Sequence, residues 1–281
     1  MKKIIKLTGL IALIVFSFFY TDKVVDVIRE NDSLMIELEN VKDEYKIKAI
    51  NGTIERNTII PGLNRRSINI EKNYKKMHEK GIFDKELIQY DKITPKISIT
   101  NNKDKFIISG NKQKNMVSII FILENDKYLE RIEDIATSKE ITINYFVTYE
   151  YLVDNSTLIT KMTNREFYNY GSSGEYTPDN LIFANNLLSR ITNNEAIYCI
   201  TKTKDENIAK LCSENNLYTI KPNIIVKSDP YNEIKKKLEP GSIILMEMNN
   251  DSSVELGIII DYIRGKGLNR AGLSNHLSEE L

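Results

Sequence analysis

Pro240-Gly241-Ser242-Ile243-Ile244-Leu245-Met246-Glu247-Met248-Asn249-Asn250 decides how the rest of this chain is read. Its centre is an uninterrupted apolar run of strand length, opened by turn residues and closed by a polar tip. That pattern predicts a strand buried on both faces. Val254 to Arg264 follows as a helix, ended at Lys266-Gly267, where glycine suits a helix terminus. A buried strand feeding a helix is half of a βα unit, and the chain upstream repeats it.

Val117 to Leu123 and Ile141 to Thr148 are further apolar runs, and Ala196 to Ile200 and Ile224 to Val226 are shorter ones. Phe106 to Gly110 reads as a strand and turn. Helical segments fall between and after them, at Tyr128 to Thr137, Asn180 to Ile191, Asp205 to Asn215 and Tyr231 to Leu238. The alternation predicts a parallel sheet covered by helices. An open doubly wound sheet and a closed barrel give the same pattern.

The chain of 281 residues has 39 basic and 39 acidic side chains, so composition gives no reason to expect nucleic acid as a partner. His78 and His276 are its only histidines, which excludes a His-rich metal site by count. The only cysteines, Cys199 and Cys212, allow one disulfide and imply no framework; because they fall in a strand-like and a helical run, two buried free thiols are the favoured reading.

At the N-terminus, Lys2, Lys3 and Lys6 precede the mostly apolar run Leu7 to Tyr20. The run suits a signal-peptide core by length and, with Ile4 and Ile5 added, a short spanning helix. The residues after it offer no small-x-small cleavage site and no cysteine for lipid attachment. An uncleaved anchor over 1–23 is therefore expected, with the bulk of the chain extracytoplasmic. Val24, Val27, Leu34, Leu38, Val41 and Tyr45 then recur three and four apart, with Asn31 at one seam position. Residues 24–50 are read as a helical stalk, either a short coiled coil forming a homodimer through 24–45 or a helix packing on its own domain. Residues 51–110 form an accessory α/β segment, with a strand at Thr58 to Asn64, an alternating Ser67 to Ile70, and a helix at Glu71 to Lys80 ended by Gly81. Tyr74 and Met77 fall on that helix's inner face.

The strand Gly241-Ser242-Ile243-Ile244-Leu245-Met246-Glu247 and its helix resemble the last βα unit of NodB-like polysaccharide deacetylases, in which the position of Glu247 is a catalytic His. The upstream segment is similar to one found in membrane-anchored bacterial members of that family. The resemblance covers Val117 to Leu277 and selects an irregular (β/α) barrel over 111–281 as the fold. It implies a metal held by one Asp and two His, a second Asp as base, and a distant His as acid. Such a metal activates water and polarises the amide carbonyl. Aligning Phe121 with the first motif puts Ile122 and Leu123 at the two Asp positions. The His-x-x-x-His motif falls on Phe167-Tyr168-Asn169-Tyr170-Gly171-Ser172-Ser173-Gly174, so Tyr170 and Gly174 replace the ligands. An Arg-Pro-Pro-Tyr motif maps loosely to Tyr198 to Thr203. No residue in these positions retains the chemistry, and neither catalytic residues, metal nor cofactor is expected.

The resemblance thus implies a catalytically inactive, membrane-anchored protein of the bacterial cell surface, with cell-wall glycan or a protein as partner. Ligand contact is assigned to Glu124, Asn125, Asn169, Tyr170 and Glu247. One alternative is a hydrolase with relocated carboxylates, Glu247 with Glu124 or Asp126, which needs two carboxyls within about 10 Å. Another is a coiled-coil interaction protein with the barrel as spacer. Glu166 and Glu175 are either further mouth carboxylates or solvated loop residues. Tyr145, Tyr149, Tyr151, Tyr168, Tyr170 and Tyr176 are either a sugar-stacking platform or core and rim packing.

Overall fold

The computed structural model describes residues 27–192 and 194–280, together with Leu13, Phe16, Ser17, Lys23 and Val24. The expected anchor, 1–23, otherwise lies outside the described residues. Among those described, no helix is long and apolar enough to cross a membrane.

In chain order the elements begin with α1 (Ser33–Val41), β1 (Thr53–Glu55), β2 (Thr58–Ile60), β3 (Arg65–Ile68), α2 (Ile70–Met77), β4 (Tyr90–Ile93) and β5 (Phe106–Ile107). They continue with β6 (Met116–Leu123), α3 (Leu129–Ser138), β7 (Asn144–Val147), α4 (Tyr149–Lys161), β8 (Glu166–Asn169) and α5 (Pro178–Thr192). Next come β9 (Tyr198–Ile200), α6 (Glu206–Glu214), β10 (Tyr218–Ile220), β11 (Ile224–Val226) and α7 (Pro230–Lys237). The chain closes with β12 (Ile243–Met246), α8 (Asn250–Gly265), β13 (Asn269–Arg270) and α9 (Leu273–His276).

The chain divides into two compact units, one of Met1–Lys48 with Arg65–Ile93, the other of Ala49–Asn64 with Thr94–Leu281. In the first, Leu34, Met35 and Leu38 of α1 bury against Ile68, Tyr74 and Met77. Asp32 sits in extended backbone and caps α1 by accepting from the Leu34 amide, so the helix starts anew there. The expected run of three heptads is therefore interrupted, and Leu34 and Leu38 pack within their own unit. Tyr74 and Met77 do face inward on α2, as their spacing predicts.

The second unit does not begin at 111. Its five-stranded sheet runs β1-β2-β5-β10-β9, so strands expected in a 51–110 accessory segment are laddered to βα strands. Residues 62–64 are also pinned to the C-terminus: the Glu279 carboxylate accepts from the Gly62 amide at 2.9 Å and from the Ile99 amide at 3.1 Å. A second sheet runs β11-β12-β6-β7-β8 with β13 beside the start of β6, all parallel. The two sheets share one core, and an aromatic row crosses from one to the other. Its ring centroids lie 5.2 Å apart for Phe146–Tyr168, 5.2 Å for Tyr168–Tyr198 and 5.9 Å for Tyr198–Tyr218. Among the described residues no backbone ladder joins β8 to β9. Instead the Tyr176 hydroxyl donates to the Asn169 carbonyl and accepts from the Ile200 amide at 3.0 Å. The barrel is irregular at that seam.

Cys199 and Cys212 form a disulfide between β9 and α6, correcting the expectation of free thiols. The run of β9 and the inner face of α6 meet because α6 returns over the strand it follows. Both sulfur-bearing residues are fully buried with Leu181 and Leu217.

Candidate functional site

Parallel strands bring their C-terminal ends to one mouth, where loops carry function in α/β folds. The register Met246↔Phe121 places Glu247 level with Ile122, one strand away from Glu124. Lys227 follows β11 and Lys202 follows β9. A cleft of about 250 Å³ opens between these ends, with Glu124, Asn125, Glu247, Lys202 and Lys227 on its walls. Ile122, Val226, Leu245 and Met246 are among its apolar lining.

Three of the five residues assigned to ligand contact, Glu124, Asn125 and Glu247, therefore meet in one cleft. The other two do not line it. Asn169 is buried and structural: its side-chain oxygen accepts from the Gly171 amide at 2.7 Å and its nitrogen donates to the Asn180 carbonyl at 3.3 Å. Tyr170 is 9% exposed and lies over Gly174. Its ring also meets Lys202, whose ammonium sits 6.0 Å from the centroid. Lys202 and Lys227 were not assigned from sequence. Their only signal was position, each being the second or first residue past a short apolar strand.

The positions that would hold a metal do not fit one. Ile122 lines the cleft with a hydrocarbon side chain, and Leu123, on the opposite face of the pleat, is fully buried in the core. Gly174 has no side chain and a left-handed backbone, φ +90°. A Cβ built there would lie 2.9 Å from the Tyr170 hydroxyl. Among the described residues, no group of three or more His, Cys, Asp or Glu side chains is placed to hold a metal ion.

The remaining acids separate. Asp126 accepts a hydrogen bond from the Tyr151 phenol, and burial together with this carboxylate pushes the phenol well up from its ordinary range. Glu166 sits at the opposite, N-terminal end of β8. There it accepts from the Tyr168 phenol at 2.6 Å and the Ser274 amide at 2.9 Å, holding α9 in place. It does not converge with Glu247, and Glu175 is exposed in the loop after β8. Tyr145, Tyr151 and Tyr168 are core residues, with Tyr145 stacked on Phe167 at 5.6 Å. Tyr149 and Tyr151 lie in α4, which sequence reasoning missed. Tyr149 meets Phe183 edge-on at 5.6 Å.

No family model matches the chain. An uncharacterized protein of Bacillus subtilis, YlxY, is 26% identical over 184 residues, which is 65% of this chain and 55% of that protein. The chain thus matches about half the length of this relative. The crystal structure of BA3943 from Bacillus anthracis, a CE4 (carbohydrate esterase family 4) pseudoenzyme, superposes with TM-score 0.65 at 20% identity, covering 89% of this chain and 96% of that one. A BA3943 mutant with restored enzymatic activity gives TM-score 0.66 at the same identity, covering 89% and 99%. Bacillus subtilis PdaA, a family 4 carbohydrate esterase, gives TM-score 0.54 at 16% identity over 81% of this chain and 96% of that one. A mostly parallel and an all-parallel sheet around one core, with a cleft at strand C-terminal ends, are the family 4 carbohydrate esterase, or NodB-like deacetylase, fold.

Proposed function

We propose that this chain is a membrane-anchored, extracytoplasmic deacetylase-like protein that binds cell-wall glycan without hydrolysing it. The observation that carries the proposal is the replacement of the metal ligands and of the acid: Leu123 in the core and Tyr170 laid over Gly174 at the ligand positions, and a carboxylate, Glu247, at the mouth position of the catalytic His. Without those donors no metal is held there to activate water or polarise the amide carbonyl. The comparison with BA3943, itself a CE4 pseudoenzyme, supports the same reading. The Cys199–Cys212 disulfide supports a compartment outside the reducing cytosol.

The test is acetate release from peptidoglycan fragments, with and without added zinc, beside retention of the chain on insoluble peptidoglycan. Retention without acetate release is expected. Metal-dependent acetate release would overturn the proposal.

A second reading is favoured by one observation: Glu124 and Glu247 line the same cleft from neighbouring parallel strands. Such a pair suits acid–base hydrolysis of a glycosidic bond. Release of reducing ends from the same fragments, lost on Glu247→Gln, would support it. Tyr151 removes Asp126 from that pair.

A further inference from the structure

Four charged side chains line the cleft, and no ion pair joins any two of them among the described residues. The two acids come from adjacent strand ends, Glu247 after β12 and Glu124 after β6; the two cations come from β9 and β11. Each charge therefore keeps its own water in the free protein, and a ligand that enters must replace that water. The apolar lining, Ile122, Leu245 and Met246, excludes solvent from one side and strengthens whatever charge contacts form.

We infer that the cleft selects a dipolar amino sugar, one bearing both a free ammonium and a carboxylate. This rests on the glycan-binding proposal above and names the glycan's charge state. The ammonium faces Glu124 and Glu247, and the carboxylate faces Lys202 and Lys227. A neutral acetylated sugar would displace water from all four groups and return no charge to any of them. A ligand with the carboxylate alone would meet two uncompensated glutamates, and one with the ammonium alone two uncompensated lysines. Lys202 is partly preorganised by its seat on the Tyr170 ring, which links the replaced ligand position to the new specificity.

The experiment is calorimetry of the intact chain with four monosaccharides that separate the two charges. Muramic acid carries both, N-acetylmuramic acid the carboxylate alone, glucosamine the ammonium alone, and N-acetylglucosamine neither. Muramic acid is expected to bind at least about tenfold more tightly than the other three, a gap of about 1.4 kcal/mol. Glu124→Gln with Glu247→Gln should erase the preference for the free amine, and Lys202→Gln with Lys227→Gln the preference for the carboxylate. Glu124 and Glu247 are exposed, and thermal melts of every variant check that the fold is retained. Equal or tighter binding of either acetylated probe would overturn the inference. Retention on peptidoglycan with no binding of muramic acid would overturn it while leaving the glycan proposal standing. No binding of any probe together with no retention would remove both.

Discussion

Acidification should destabilise this protein through one imidazole. His276 is fully buried; the Ser118 hydroxyl donates to the Ala271 carbonyl, so at 2.8 Å it accepts from the His276 Nδ1–H. The other ring nitrogen, Nε2, has no hydrogen-bond partner among the described residues and packs on Gly110, where an added Cβ would come within 2.1 Å. Lys114 stands close by, its ammonium donating to the Ser278 carbonyl at 2.9 Å. Burial first, and the Lys114 charge second, depress the imidazole from 6.5 to about 3. Above pH 6.5 neither folded nor unfolded chain protonates this group, and its contribution to stability is intact. As pH falls from 6.5 towards 3 only the unfolded chain takes the proton. The resulting loss is roughly 5 kcal/mol in all, comparable to the lower end of domain stabilities.

The assay is urea unfolding followed by circular dichroism, since the chain has no Trp, at pH 7, 6 and 5. The comparison is His276→Asn, which keeps a donor for Ser118 and removes the titration. Between pH 6 and pH 5 the wild type should lose about 1 kcal/mol more than the variant. The variant's offset from its lost ring volume does not enter, because only the slopes are compared. Parallel pH dependences would refute the reasoning, since they would mean that the imidazole takes a proton inside the fold.

Four other outcomes follow from the packing. Cys199→Ser with Cys212→Ser opens a loop of sequence separation 13 and should cost about 3 kcal/mol, read as a fall in Tm of roughly 6–12 °C. Because both cysteines are fully buried, a mild reductant should leave the native disulfide intact until the chain is unfolded. Arg165 is 7% exposed and its Nε meets both Glu133 oxygens at 2.9 and 3.0 Å. Arg165→Met should cost about 3 kcal/mol in urea unfolding, near the low end for a broken buried pair because Glu133 is partly exposed. Gly174→His, even combined with Leu123→Asp and Tyr170→His, should lower the melting temperature without creating zinc affinity. The left-handed backbone at Gly174 alone costs of order 1–3 kcal/mol for any other residue.

What was legible in sequence was whatever burial writes as an apolar run. β6, β7, β11 and β12 are buried almost throughout, so their boundaries fall close to the runs that predict them. α4 was not legible. Its sequence, YEYLVDNSTLITK, mixes aromatic and β-branched residues with a kink at Asn155, and local propensity argues against a helix that tertiary packing nevertheless holds. The division of the chain was also hidden, because β1, β2 and β5 belong to a sheet whose other members lie about a hundred residues later. The disulfide was one of two readings, and sequence could not choose it for the same reason: only the return of α6 over β9 brings its two ends together. At the site, alternation along β6 distinguishes Ile122 from Leu123, and the replaced motif positions were readable. The lysines were not, since a lysine past a strand end is an ordinary surface residue until the barrel places two of them around one cleft.

Zinc titration of the intact chain by calorimetry tests the central claim most directly. The replaced ligand set predicts no stoichiometric binding at neutral pH, for zinc or for cobalt. Tight one-to-one binding, abolished by Glu247→Gln or Glu124→Gln, would contradict it and would make the cleft a metal centre built from relocated carboxylates.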